Sequence, residues 1–187
     1  EDSGDVVEDV QTSASGQLSA DDVDNGTILS WSVVEPSSGT YGSIVVDQTG
    51  KWTYQLDDSA VVHALAEGES HSEMFTIQVV DEHGAAATQD VTVAITGTND
   101  VPTIAAGGDS GAAEEDIQQT ASGQLTATDV DNNATLTWSV VGAAIGAYGS
   151  IAVDQTGQWT YTLANDSAAV QALASGESQS DTFTIQV

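Results

Sequence analysis

The sequence contains no cysteine. That excludes a disulfide framework, a thiolate nucleophile and the cysteine-rich metal sites that such spacings announce. Basic residues are nearly as scarce: Lys51 is the only lysine or arginine, against 29 acids, for a formal net charge of −28. A chain this acidic is repelled by nucleic acid and by anionic membrane surfaces, so neither is expected as a partner. No apolar run approaches the ~18–20 residues of a membrane span. No secretory leader opens the chain either, and it reads as an internal piece of a longer exported protein. An extracellular domain without disulfides needs another staple, and bound metal is the obvious candidate.

What the sequence has in quantity is repetition. YGSIVVDQTGKWTYQL, from Tyr41 to Leu56, returns as YGSIAVDQTGQWTYTL from Tyr148 to Leu163, with 13 of 16 positions identical at an offset of 148 − 41 = 107. That offset is too long for a solenoid repeat and suits a small domain. Within the segment, Gly42, Ile44 and Val46 alternate with polar or smaller neighbours, as do Trp52, Tyr54 and Leu56. A period of two on both sides of Asp-Gln-Thr-Gly, whose glycine is free to take positive φ, predicts a β-hairpin with one apolar, aromatic face. Two copies of one hairpin imply two copies of one domain.

The rest of the chain follows the same plan. ASGQLSADDVDN from Ala14 matches ASGQLTATDVDN from Ala121, and Glu8 aligns with Glu115. Leu29, Trp31 and Val33 alternate, matched by Leu136, Trp138 and Val140. DSAVVHAL from Asp58 and DSAAVQAL from Asp166 read as one short helix per copy, capped by Asp or Ser. Phe75, Ile77 and Val79, then Val91, Val93 and Ile95, flank the turn Asp81–Gly84. About seven short strands per copy predict an all-β fold: two tandem Greek-key β-sandwich domains, cadherin- or immunoglobulin-like. The boundaries are 1–98 for repeat one, 99–102 for a linker ending at Pro102, and 103–187 for repeat two. Repeat one has no counterpart of 101–107 and is expected to lack its first strand, while repeat two stops at the counterpart of Val79 and is expected to lack its last ones.

Carboxylates are the candidates for chemistry. Asp22-Val23-Asp24 and Asp129-Val130-Asp131 open the same loop in each copy. In extended backbone, D-x-D points two carboxylates the same way, as a hard cation requires. The spacing is not that of an EF-hand, since twelve-residue numbering from Asp22 puts Val33 where a bidentate Glu belongs. Asn99 and Asp100 lie in the linker just ahead of repeat two. The histidines, His63, His71 and His83, read as surface residues, because Gln171 and Gln179 replace the first two in repeat two. Trp31, Tyr41, Trp52 and Tyr54 could stack on sugars, but their repetition and alternation favour core packing. Neither a repeated Ser–His–Asp grouping nor a phosphate loop is found, so no catalytic site is expected.

An early Glu, A-x-D-x-D, a TG hairpin, LDD, a strand ending V-x-D-x-x-G and finally TNDVP follow one another in this order. The series resembles the cadherin-like repeats of bacteria, and more specifically the VCBS-type repeats of long, calcium-dependent, RTX-type surface adhesins. The resemblance covers nearly the whole chain. It implies Ca2+ held at domain junctions by Glu8, Asp58, Asn99, Asp100, Asp129 and Asp131, with Asp22 and Asp24 facing a preceding domain and Glu115 a following one. TNDVP lacks the second acidic pair of the cadherin linker, and LDD becomes Leu163-Ala164-Asn165-Asp166 in repeat two. The implied function is a calcium-stiffened extender of a large adhesin at the bacterial cell surface, serving adhesion and biofilm formation. Its partners would be neighbouring repeats of the same chain, with any host, abiotic surface or polysaccharide contacted through other domains. The competing expectation is a carbohydrate- or ligand-binding accessory module of an extracellular protein or enzyme.

Overall fold

A computed structural model describes residues 2–187. The chain forms two compact units, one running to Asp100 and including Val130–Asn133, the other comprising Val101–Asp129 and Ala134–Val187.

In the first unit, β1 (Asp2–Val7), β3 (Ser30–Val33), β6 (Ser70–Val80) and β7 (Ala86–Thr96) build one sheet in the order β1-β7-β6-β3. Strands β2 (Ser13–Gln17), β4 (Gly42–Val46) and β5 (Lys51–Leu56) build the other, in the order β2-β5-β4. The chain changes sheet between β1 and β2, β2 and β3, β3 and β4, and β5 and β6, which gives the expected sandwich. Its core is Val6, Ile44, Trp52, Tyr54, Leu56, Phe75, Ile77, Val91, Val93 and Ile95, with Trp31, Val33 and Tyr41 packed against it. Trp52 and Tyr54 are fully buried, so these aromatics form the interior and not a sugar platform.

The hairpin forms as its pattern predicts, with Val46 opposite Trp52. Asp47 Oδ1 accepts bonds from the Thr49 N–H and hydroxyl, both at 2.7 Å, while Gly50 takes φ 83°. These bonds hold the Asp47 carboxyl below its ordinary range. Asp154 repeats the arrangement in the second unit, again with Thr156 as chief donor.

Repeat one opens on a strand: β1 runs parallel to β7, from Asp2 opposite Val91 to Val7 opposite Thr96. DSGDVV carries no apolar alternation, and its order comes from the backbone of β7. The expected helix of repeat one is a single turn, in which Ser59 O accepts the N–H groups of Val62 and His63. Among the described residues the one helix is α1 (Ala168–Gln171) of the second unit, capped by the Ser167 side chain on the Val170 N–H.

The second unit pairs β8 (Thr103–Ile104) with β10 (Ala127–Thr128), and β11 (Ser139–Val141) with β14 (Thr184–Gln186). β9 (Thr120–Gln124), β12 (Gly149–Val153) and β13 (Gln158–Leu163) form a sheet in the order β12-β13-β9. Its buried core is smaller: Ala121, Leu125, Trp138 and Trp159. Ile77 is fully buried where its counterpart Ile185 is only half-buried, because β14 pairs with β11 alone among the described residues and nothing corresponds to β7.

Each unit also pins the loop before its hairpin with one carboxylate. Glu73, on β6, accepts from the Thr40 N–H, from the Tyr41 N–H at 3.0 Å and from the Tyr54 hydroxyl at 2.7 Å. Asp181 does the same for Ala147 and Tyr148 N–H and the Tyr161 hydroxyl, at 2.8, 3.0 and 2.9 Å. Gly39 and Gly146 leave room for it: a Cβ on Gly39 would lie 2.0 Å from Glu73 Oε1. Burial, then the bond to its carboxylate, pushes the Tyr161 phenol up to about 12, and the same causes raise Tyr54. Replacing Glu73 by Ala leaves the buried Tyr54 hydroxyl without its acceptor and is expected to destabilise the first unit by about 1–3 kcal/mol. Urea unfolding followed by tryptophan fluorescence checks it, and an unchanged midpoint would show the tie to be ornamental.

Candidate metal centre

The parallel pairing of β1 and β7 makes the site. Because both strands run the same way, Glu8 after β1 and residues 97–100 after β7 leave the sheet at one end, although 90 positions separate Glu8 from Thr98. The Glu8 N–H continues the ladder to Thr96 O at 3.0 Å. Its carboxylate turns inward, 1 % exposed, and Oε2 accepts the Thr98 N–H at 3.2 Å. Asp9 takes φ 54°, which turns the chain back at once so that the Gln11 N–H reaches Val7 O.

Two further groups converge on Glu8. The turn after β5 delivers His63, and the strand exit delivers Asp100; ligand atoms of Glu8, His63 and Asp100 all lie within 4.8 Å of one another. The Asp100 N–H donates to Asp131 Oδ2 at 3.0 Å. The segment carrying Asp131 belongs to the first unit and is held there by Asn132, whose N–H donates to Ala64 O at 2.8 Å and whose side chain donates to Glu69 Oε2 at 3.2 Å. His63 Nε2 meets Asp58 Oδ1 at 2.7 Å, and Nδ1 lies 3.4 Å from Glu8 Oε1.

The electrostatics are unfavourable as they stand. Glu8 Oε1 and Asp100 Oδ2 are buried atoms without a hydrogen-bond donor. Carboxylates about 4 Å apart repel by roughly 1–4 kcal/mol, depending on how much water screens them. Burial pushes the Glu8 carboxyl up, and Asp100 and Asp9 add to the rise, against the Thr98 N–H and His63. The bond to Asp58 raises His63, partly offset by desolvation, with Glu8 and Asp9 adding to the rise. Orphaned hard oxygens facing one another are what a dication neutralises, so the residues fit Ca2+. Glu8, Asp100 and Asp131 would hold it.

Other sequence candidates lie elsewhere. Asp22 and Asp24 are exposed and share an Asx turn, the Asp24 N–H donating to Asp22 Oδ1 at 2.8 Å. Asn99 is exposed and donates to Asp100 O. Asp58 is turned to solvent and serves His63. Glu115 accepts the Gln171 side chain at 2.5 Å, and Asp129 falls in the second unit. His63 is the residue that sequence reasoning set aside: it is Gln171 in repeat two, and the substitution itself was the signal.

A metal-free pH response follows from Glu8. Its carboxyl is raised above the unfolded value, so the folded state binds the extra proton and stability falls as pH rises through the folded pKa. In EDTA, acidifying from pH 7.5 to 5.5 is therefore expected to raise the melting temperature more in the unsubstituted chain than in Glu8→Gln. Equal shifts would assign the whole response to relief of the general negative charge.

The profile of the bacterial cadherin-like domain matches residues 1–97 and again 99–187. No curated protein matches the chain. Among solved structures, PcdhgB3 EC1-4 is 18 % identical with a TM-score of 0.51, the match covering 87 % of this chain and 38 % of that one. Human CDH23 EC21-23 is also 18 % identical, with a TM-score of 0.50, covering 89 % of this chain and 52 % of that one. At such identities the likeness concerns the fold. The profile spans both repeats, and the chain belongs to the bacterial cadherin-like domain family.

Proposed function

We propose that this chain is a non-catalytic extender segment of a long extracellular bacterial protein, stiffened by calcium, of the kind found in VCBS-type and RTX-type adhesins. The carrying observation is the buried Glu8 carboxylate, with one oxygen orphaned against Asp100 where the chain leaves β7. A module serving only as a soluble surface has no use for a buried charge without a partner, whereas a cation site does. Calcium would draw Asp100 and Asp131 onto Glu8, so the passage from one repeat to the next loses freedom when the ion binds. Among the described residues no helix is long and apolar enough to cross a membrane. The rod would serve to hold an adhesive end away from the cell, in a biofilm or against a surface.

Small-angle scattering at fixed ionic strength tests the reading. Calcium is expected to narrow the distribution of intramolecular distances relative to EDTA, and Asp100→Ala/Asp131→Ala to keep the broad distribution in both conditions. Identical curves with and without calcium in the unsubstituted chain would remove stiffening from the account.

A further inference from the structure

The nitrogen in this centre has no place in an all-oxygen calcium site. Resting on the reading of Glu8 and Asp100 as cation ligands, we infer that repeat one also binds a transition-metal dication of the zinc class, through His63 Nδ1 together with Glu8 and Asp100.

An ionised Asp58 can only accept, so the 2.7 Å contact with His63 Nε2 places a proton on Nε2. A carboxylate fixing the outer nitrogen is the arrangement that orients metal-binding histidines, leaving the other nitrogen's lone pair forward. Forward here means Glu8: Nδ1 stands 3.4 Å from Oε1, and the pair does not form a hydrogen bond. With its proton on Nε2, neutral His63 turns the Nδ1 lone pair toward a buried carboxylate oxygen, and a metal cation between the two satisfies both. Zinc bonds to nitrogen and oxygen are about 2.0–2.2 Å, so one ion bridges atoms up to about 4 Å apart. The 3.4 Å pair is within that reach, and the 4.8 Å spread of the three ligand atoms needs only a small closure.

Donor chemistry selects the class. Calcium takes oxygen ligands, while imidazole with carboxylate suits zinc and its first-row neighbours. Repeat two lacks the option, because Gln171 fills the same place and its amide nitrogen donates to Glu115 Oε1. An amide nitrogen has no lone pair to offer a metal.

Zinc titration calorimetry on the full chain, stripped with EDTA and dialysed, is the test. His71→Gln/His83→Gln serves as background so that His63 is the only imidazole. One zinc per chain is expected, with affinity falling at least tenfold when His63→Gln is added and about tenfold for Asp58→Asn, the positioning residue. Gln171 shows that glutamine fits this position, and near-UV circular dichroism confirms the fold. Cobalt(II) in place of zinc should give a visible absorption band that His63→Gln removes. Equal zinc affinity with and without His63, or no zinc binding at all, overturns the inference and leaves His63 an imidazolium between Asp58 and Glu8. Calcium added to the unsubstituted chain is a separate arm. Zinc binding without a calcium response retires the calcium reading alone, and a calcium response without zinc binding retires this one alone.

Discussion

Millimolar calcium is expected to raise the unfolding midpoint of the first unit by ~10–20 °C over EDTA. An ion at a hundred times its dissociation constant, bound only by the folded state, adds ~2.7 kcal/mol. A domain of 60–100 residues gains roughly 4–8 °C per kcal/mol. Magnesium should do far less, because it gives up water reluctantly and demands a tight octahedron. Glu8→Gln gives the decisive sign. It removes a buried, orphaned charge, so it should raise the midpoint in EDTA while abolishing most of the calcium gain. Glu8→Gln lowering both midpoints equally would make Glu8 a structural hydrogen bonder and not a ligand. Equal shifts from calcium and magnesium would make the acids generic surface charge.

The second large effect belongs to the core. Trp52→Ala is expected to destabilise the first unit by about 3–5 kcal/mol, enough to unfold much of it at 37 °C. The indole is fully buried, and its Nε1–H donates to Asp2 Oδ2 at 2.6 Å. Backbone lies directly on its faces: Cβ atoms built on Gly16 and Gly4 would come within 2.6 and 2.8 Å of the ring. The ring therefore holds down β1 and β2 together. Gly16→Ala should cost stability through the same contact without removing apolar area. Trp159→Ala should perturb the second unit less, since Trp159 is less completely enclosed in a smaller core. Chemical unfolding of each variant in saturating calcium gives these numbers, and a midpoint for Trp52→Ala within error of the unsubstituted chain would refute the assignment.

How far these features were legible in the sequence depends on whether they rest on side chains or on backbone. The hairpins, the core aromatics and the sandwich came from period-two alternation repeated at 107 positions' distance. The parallel strand β1 did not, because an edge strand ordered by its neighbour's backbone needs no apolar pattern, and DSGDVV has none. The same gap hid the heart of the site. Nothing in the sequence says that Glu8 and Thr98 leave one sheet side by side, since that is a consequence of the parallel register. The family resemblance supplied Glu8 and Asp100 where spacing could not. His63 was discounted because repeat two lacks it, yet repetition identifies what the two domains share and is blind to what distinguishes them. The capped segment after each hairpin was legible from its Asp-Ser start, and in repeat one it closes a single turn on Ser59 O.

The direction of β1 also decides how the first unit carries tension. If the chain is pulled at Asp2 and at the exit from β7, parallel strands put those two points at opposite ends of a six-residue ladder. The load then falls on all of its hydrogen bonds at once, in shear, whereas an antiparallel pair pulled the same way would unzip bond by bond. Rupture should accordingly appear in single-molecule force spectroscopy as one high event per first unit, and a train of small steps would rule this geometry out as the mechanical clamp.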